Sequence, residues 1–177
     1  IALVYAEQHA YAEALKNHFA SLKIKEELGD KNGIATSYNN IGISYKEQNN
    51  YAEALKNHFA SLKIREELGD KQGIATSFNN IGIIYYEQGK INNNLSKRKQ
   101  LFNDALKNYL ACMKIGEQLG DKNIIASSYI NLGSVYTLLN NFSEARKYLN
   151  DGLSLSKEIG FRDAIKESYG CLAELDS

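Results

Sequence analysis

Residues 51–90 read YAEALKNHFASLKIREELGDKQGIATSFNNIGIIYYEQGK and repeat residues 11–50 with seven differences in forty aligned positions. A third copy begins at Phe102, after an insertion of 11 residues at 91–101, and a fourth copy begins at Phe142. The sequence is therefore a tandem array with a period of 40 residues. Internal repeats of this length indicate a solenoid, in which each copy buries its apolar surface against its neighbours.

Each copy contains two helical segments joined by short turns. Apolar residues recur with spacings of three and four at 51–62 and at 34–45, which is the period of an amphipathic helix. The segment Leu28–Lys31 reads Leu-Gly-Asp-Lys and recurs in the next two copies. It places glycine where one helix ends and aspartate where the next one begins. The other turn of each copy is expected at the Asn-Asn or Gly-Lys pairs 49–50, 89–90 and 140–141, and His9 is expected in the corresponding turn of the truncated copy.

This periodicity predicts one all-α domain built from antiparallel helix pairs. Gly42, Gly82 and Gly133 fall in the middle of helices, and we expect them to allow close packing against Ala54, Ala105 and Ala145. The chain opens in the middle of a copy and is expected to be a fragment of a longer array. The predicted domain is 1–177, with the end of a truncated copy at 1–10, repeat units at 11–50, 51–90, 102–141 and 142–177, and a helix-lengthening insertion at 91–101.

Composition argues against several functional classes. Lys and Arg together number 21, as do Asp and Glu, so no net charge attracts nucleic acid or an acidic membrane. No apolar run approaches the roughly 20 residues of a membrane-spanning helix. Cys112 and Cys171 make no disulfide framework, so free thiols and a cytoplasmic location are expected. Because no catalytic motif or metal-ligand spacing is present, we predict no enzyme activity, cofactor or metal, and no nucleic-acid or membrane partner.

Three copies share a short motif. Residues 40–45 read Asn-Ile-Gly-x-x-Tyr, the motif recurs at 80–85 and, with Leu for Ile, at 131–136, and an aromatic-x-x-Ala segment follows each. This pattern resembles the tetratricopeptide repeat family over almost the whole chain, although the family's usual proline is absent. The 40-residue unit is similar to repeats of Pins-like spindle-orientation adaptors and kinesin light chains, and to sensor regions of bacterial signalling proteins.

The resemblance implies a right-handed superhelical solenoid that holds an extended segment of a partner protein along the concave face of its glycine-bearing helices. On those helices, the face opposite Gly42 and its counterparts predicts the ligand contacts. Asparagine carboxamides there are able to pair with the backbone of an extended peptide. The predicted peptide-binding residues are Thr36, Asn39, Asn40, Ile43, Lys46, Glu47, Thr76, Asn79, Asn80, Ile83, Tyr86, Glu87, Ser127, Asn131, Ser134 and Leu138, and the truncated copy adds Leu3 and Glu7.

Other interpretations of the same residues stay open. The asparagines would have a purely structural role if they only join adjacent glycine-bearing helices. The chain would then be a spacer, or an array that self-associates through its open N-terminal end. It would alternatively be a regulatory region of a larger signalling protein, such as a histidine kinase. His18 and His58 are replaced by Tyr in later copies, which favours a packing role over a metal site. The basic segment 97–99 is expected in an exposed protrusion, and an acidic partner or nucleic acid remains an alternative.

Overall fold

The computed structural model describes the backbone of residues 2–176 and the side chains of residues 11–176. No strand occurs in this described range, so the predicted all-α fold is confirmed. Most of these helices pack against the next helix in the chain, as the repeats predicted. The eight helices in this range are α1 (Ala2–Glu27), α2 (Lys31–Glu47), α3 (Tyr51–Leu68), α4 (Lys71–Ile91), α5 (Leu95–Leu119), α6 (Lys122–Leu138), α7 (Phe142–Ile159) and α8 (Arg162–Asp176).

The Leu-Gly-Asp-Lys turns form as the sequence predicts. Gly69 ends α3 with a left-handed φ of 67°, and its N–H donates to the Glu66 carbonyl at 3.1 Å. A side chain would be strained at this φ, which explains the recurrent glycine. Asp30 precedes α2, and its Oδ1 accepts the Gly33 N–H at 2.9 Å. Glycine and aspartate therefore end one helix and cap the next within two residues.

Two of the turns expected at the other end of the copies do not form. Helix α1 runs without interruption through residues 9–10, where Ala10 replaces the Asn50 that caps α3 by accepting the Glu53 N–H. Because alanine has no side-chain acceptor, nothing at that position stops the helix. Residues 89–90 lie inside α4, and the turn falls instead at Asn92–Asn94.

The chain divides into two compact units, Ile1–Ile84 and Tyr85–Ser177. The boundary falls inside α4, which is one continuous helix. The inserted residues 91–101 comprise the last residue of α4, the turn Asn92–Asn94 and the first seven residues of α5. The organisation as one domain stays a prediction.

The core of the first unit is formed where α2 meets α3. Ile41 and Ala54 are fully buried, and His58 is 1% exposed. We expected Ala54 opposite Gly42, but the nearest side chain is His58. A Cβ built on Gly42 would lie 2.8 Å from the Cε1 and Nε2 atoms of that ring. Glycine is therefore needed here because a buried ring occupies the space that a side chain would take.

The core of the second unit is formed by Ile130, Leu149 and Ala164. A Cβ built on Gly133 would lie 2.6 Å from Leu149 Cγ and 3.2 Å from the Ala145 carbonyl oxygen. We expected Ala145 opposite Gly133; its backbone is close, but the nearest side chain is that of Leu149. Helices α6, α7 and α8 thus pack around one apolar cluster.

Candidate functional site

The predicted ligand face of the first unit lies on α2 and on the first part of α4. Its apolar member Ile43 is 39% exposed, which is high for a large aliphatic side chain in a well-packed protein. Four of the ten predicted residues in this unit are exposed. Thr36, Ile43, Glu47 and Thr76 are exposed, whereas Asn40, Lys46, Asn79, Asn80 and Ile83 are half-buried.

One predicted contact needs correction. Asn39 is only 8% exposed. Its Oδ1 accepts a hydrogen bond from Asn80 Nδ2 at 2.9 Å, and its own Nδ2 donates to Asn40 Oδ1 at 3.5 Å. Asn39 therefore links α2 to α4 and is no longer a candidate ligand contact. The structural role that the sequence left open applies to Asn39 and to the amide nitrogen of Asn80.

The hydroxyl groups on this face are already used as donors. Thr36 Oγ1 donates to the Asn32 carbonyl at 2.9 Å, and Thr76 Oγ1 donates to the Gln72 carbonyl at 3.0 Å. Each hydroxyl proton is thus committed to its own helix, which leaves the oxygen lone pairs for a ligand. These two threonines are suited to accept hydrogen bonds from ligand N–H groups.

Charged side chains at the edge of the face are paired. Lys46 Nζ lies 2.8 Å from Glu47 Oε1 in the first unit. In the second unit, Lys90 Nζ lies 3.4 Å from Glu87 Oε2 and 5.2 Å from the centroid of the Tyr86 ring. Both pairs are solvent-accessible and therefore contribute little to stability. They place both signs of charge beside the predicted groove.

The predicted face of the second unit lies on the end of α4 and on α6. Leu138 is 42% exposed and is the most accessible apolar member. Ser134 Oγ donates to the Ile130 carbonyl at 3.0 Å, so its hydroxyl resembles the threonines of the first unit. The half-buried members are Tyr86, Glu87, Ser127, Asn131 and Ser134. The continuation of the asparagine ladder from Asn40 and Asn80 to Asn131 stays a prediction.

Helix α8 adds residues that the sequence did not predict. Cys171 Sγ lies 3.3 Å from Ser134 Oγ, which places the thiol beside the predicted face. Burial raises the pKa of Tyr86 to about 12, with further contributions from Glu87, Cys171 and Glu174. One sequence feature predicts the position of α8 in the repeat: Ser168 aligns with Ser128 at the 40-residue period, and both residues are buried.

Both cysteines are free thiols, Cys112 buried and Cys171 half-buried. Burial raises the pKa of each thiol. Such thiols are mostly protonated near neutral pH and are weak nucleophiles. A structural role therefore accounts for both.

His58 is part of the packing rather than of a reactive centre. Burial, followed by the charges of Arg65 and Lys46, lowers its pKa from 6.5 to about 4. Its Nδ1 atom is buried and has no hydrogen-bond partner among the residues whose side chains are described. The expected packing role is consistent with this burial, although the hydrogen bond expected by analogy with tyrosine is missing at Nδ1.

Neither a metal-binding cluster nor a membrane-spanning helix occurs among the described residues. No three of their His, Cys, Asp and Glu side chains gather where they would hold a metal ion. None of their helices combines the length and apolar character needed to cross a membrane. The predicted contacts Leu3 and Glu7 lie outside the described side chains.

Comparison with solved structures finds two natural proteins of similar fold. BtubC (BKLC) from P. vanneervenii superimposes with a TM-score of 0.72 at 21% identity, covering 86% of this chain and 59% of that protein. The apo form of RapI superimposes with a TM-score of 0.71 at 19% identity, covering 96% of this chain and 49% of that protein. This chain thus spans about half to three fifths of the length of these neighbours.

A designed helical repeat protein, DHR81, also superimposes, with a TM-score of 0.52 at 14% identity and coverage of 97% of this chain and 91% of the design. Identities this low establish a shared helical-repeat fold and nothing about ligands. A search of curated proteins finds no match. The family model described as tetratricopeptide repeat matches residues 1–67 and 95–158, which is well over half of the sequence. The chain therefore belongs to the tetratricopeptide repeat family.

Proposed function

We propose that this protein is a scaffold that holds an extended segment of a partner protein along its glycine-bearing helices. Membership of the tetratricopeptide repeat family supports a protein-interaction role in general. The observation that carries the finer proposal is the arrangement around Asn39. Its hydrogen bond to Asn80 joins α2 to α4, which supports a ligand face that continues from one helix to the other.

The chemistry of these rows suits an extended peptide. Asn40 is half-buried, and its carboxamide offers both a donor and an acceptor to a ligand backbone. Thr36 and Thr76 offer oxygen acceptors whose protons are committed elsewhere. Ile43 supplies an exposed apolar contact beside them. A ligand would therefore gain main-chain hydrogen bonds from the polar groups and selectivity from the apolar position.

The test starts from a random peptide library displayed on phage and selected against the whole chain. Selected peptides are titrated calorimetrically against the parent protein and against Ile43→Asn. We expect this variant to lose about tenfold in affinity, because an apolar contact at the centre of the face is replaced by a hydrated amide. The matched control is Phe59→Asn on α3, since Phe59 is 45% exposed and Ile43 is 39% exposed.

The control variant should bind like the parent. If Phe59→Asn abolishes binding while Ile43→Asn does not, the ligand face lies on the other layer of helices and the proposal is wrong. Selection of no peptide that distinguishes Ile43→Asn from the parent would also count against it.

A second candidate function, self-association, rests on a specific difference between α1 and α3. The two helices have nearly the same sequence, yet α3 buries residues that α1 leaves accessible. Ser61 is fully buried and donates to the Ala35 carbonyl at 2.8 Å, whereas the aligned Ser21 is half-buried. A helix of the α2 type from a second copy of the chain would cover this face of α1.

Light scattering across a range of protein concentrations tests this candidate. Self-association through α1 predicts a mass that rises with concentration in the parent and stays constant in Ser21→Arg. The same concentration dependence in both proteins would eliminate this contact.

A regulatory role within a larger signalling protein and a cytoplasmic location belong to the proposal as well. A full-length chain carrying a catalytic or DNA-binding domain would establish the regulatory role.

A further inference from the structure

The tip of the α4–α5 hairpin, defined here as residues 90–100, combines exposed apolar and basic side chains. Ile91 is 65% exposed and Leu95 is 74% exposed, among the highest values for large hydrophobic residues in the described chain. Ile91 is the last residue of α4, and Leu95 is the first residue of α5. Two large aliphatic side chains thus meet solvent at one end of a helical hairpin.

The tip projects beyond the last packed layer of the hairpin. That layer is formed by Gly89 and Phe102, because a Cβ built on Gly89 would lie 2.5 Å from Phe102 Cε1. Helix α5 begins seven residues before Phe102, which corresponds to about 10 Å of helix. The 40-residue repeat does not include residues 91–101, so the repeat architecture does not require this extension.

Hydrogen bonds hold the turn at the tip. Asn92 Oδ1 accepts the Asn94 N–H at 3.0 Å, and Asn94 Oδ1 accepts the Lys97 N–H at 2.9 Å as the cap of α5. Ile91 and Leu95 are therefore presented together by an ordered connection of three residues. An apolar contact made by both side chains would not require the turn to reorganise first.

The charge around the tip is one-sided. Residues 88–103 contain Lys90, Lys97, Arg98 and Lys99 and no acidic residue. Lys97 Nζ is bonded to the neutral Gln100 side chain at 3.3 Å, so that bond leaves its charge uncompensated. Lys90 is paired with Glu87 at 3.4 Å, so the local excess is the three positive charges of Lys97, Arg98 and Lys99. The neutral balance of the whole chain, from which we expected no membrane partner, conceals this excess.

We propose that this tip docks on the surface of an anionic lipid membrane, with Ile91 and Leu95 entering the headgroup region and Lys97, Arg98 and Lys99 contacting lipid phosphates. A projecting tip offers no groove to enclose a peptide, whereas a lipid surface is deformable and accepts protruding side chains. Basic side chains bury their aliphatic stems beside such apolar anchors while their charged ends reach the phosphates.

Vesicle flotation tests the electrostatic part of the proposal. Vesicles of phosphatidylcholine containing phosphatidylserine as the minority lipid should bind the parent protein, and added salt should weaken the binding. Vesicles of phosphatidylcholine alone should not bind it. The double variant Lys97→Gln, Lys99→Gln should lose about 30-fold in partitioning. The control Lys63→Gln, Lys71→Gln removes the same charge from exposed positions elsewhere and should retain binding.

A second pair of variants tests the apolar part. Leu95→Asn should lose about tenfold in partitioning, because a leucine transferred out of water is replaced by a hydrated amide. Leu28→Asn is the matched control, since Leu28 is 76% exposed and Leu95 is 74% exposed. Unfolding curves of all four variants, recorded alongside, identify any loss of binding that comes from loss of folding.

Equal losses in both lysine pairs would overturn the proposal, because binding would then follow overall charge. Equal losses in Leu95→Asn and Leu28→Asn would overturn the anchoring role of the tip. An acidic peptide of glutamate and leucine serves as the competing ligand. If it binds in a Lys97- and Lys99-dependent manner while anionic vesicles do not bind, the tip recognises an acidic protein segment and the lipid proposal is wrong.

Discussion

Gly42 of α2 lies directly against the ring of His58 of α3, with no room for a side chain between them. A Cβ on Gly42 would lie 2.8 Å from two ring atoms of His58, and His58 is only 1% exposed. The ring therefore has little freedom to move away. This contact sets how closely the two helices approach, and several measurable properties of the protein depend on it.

Replacement of Gly42 by alanine should destabilise the protein by roughly 1–2 kcal/mol. The steric cost of crowding a packed core exceeds the gain of about 1 kcal/mol in helix propensity. Gly170→Ala in α8 is the matched control, because a Cβ there would meet nothing within 4 Å. That control should gain roughly 0.5–1 kcal/mol, and urea unfolding of both variants measures the difference. Stabilisation of both would show that α2 and α3 adjust freely.

The lowered pKa of His58 predicts acid sensitivity. The folded state holds His58 neutral down to pH about 4, whereas the unfolded chain protonates near 6.5. The unfolded state therefore binds more protons between these values, and stability falls as pH falls through this window. Unfolding in urea at pH 7 and pH 4.5 should reveal a loss of roughly 2–3 kcal/mol from this group.

The variant His58→Tyr, which places at this position the residue found in later copies, should lack that part of the pH dependence. All other titrating groups are unchanged, so the difference between the two proteins isolates His58. Identical pH dependence of the unfolding free energy in both proteins would mean that folding does not lower the pKa of His58.

The variants Asn80→Ala and Asn40→Ala should differ in stability, because Asn80 is a structural residue and Asn40 is a predicted ligand contact. Loss of the Asn80 amide leaves the buried Oδ1 of Asn39 without its 2.9 Å donor, at a cost of about 1 kcal/mol. Among the described side chains, the hydrogen bond of Asn40 is the 3.5 Å contact with Asn39, so its replacement should change stability by less than about 0.5 kcal/mol. Denaturant unfolding measures both values. The reverse order would indicate that the Asn39–Asn80 bond does not join α2 to α4 in solution.

Removal of the cap of α5 should destabilise the inserted hairpin. Asn94→Ala deletes the acceptor of the Lys97 N–H and should cost about 1 kcal/mol. Hydrogen exchange at Lys97 and the next residues of α5 should accelerate together with this loss. Asn93→Ala changes an exposed neighbour in the same turn and should leave both measurements near those of the parent. Equal exchange in the two variants would contradict the capping role.

Much of the fold was predictable because the period and the turn residues act locally. The glycine at position 69 and the aspartate at position 30 satisfy backbone groups within a few residues of themselves, so the sequence identifies those helix ends. The turn expected at 89–90 was wrong for a reason outside that local signal. Gly89 packs against Phe102 across the hairpin. The sequence alone does not distinguish a glycine required for close packing from a glycine required for a turn.

The candidate site was only partly predictable. The exposed positions Thr36, Ile43 and Glu47 follow from helical periodicity, because they share one face of α2. Asn39 is buried and Cys171 lies beside Ser134. Both facts depend on distances between helices, which the sequence period does not determine. A residue's angular position on its helix is a local property, whereas its neighbours across the interface are not.

By itself, the sequence determined the repeat, the helical class, most helix ends and the exposed positions of α2. These depend on backbone hydrogen bonding and on periodicity, which act over a few residues. Only the tertiary structure decided that His58 rather than Ala54 fills the space at Gly42. It also decided that the side chain of Asn39 bonds to Asn80 and links α2 to α4, so that it is not exposed to a ligand. Both outcomes depend on how closely two helices approach, and that distance is set by the combined volume of all the side chains between them.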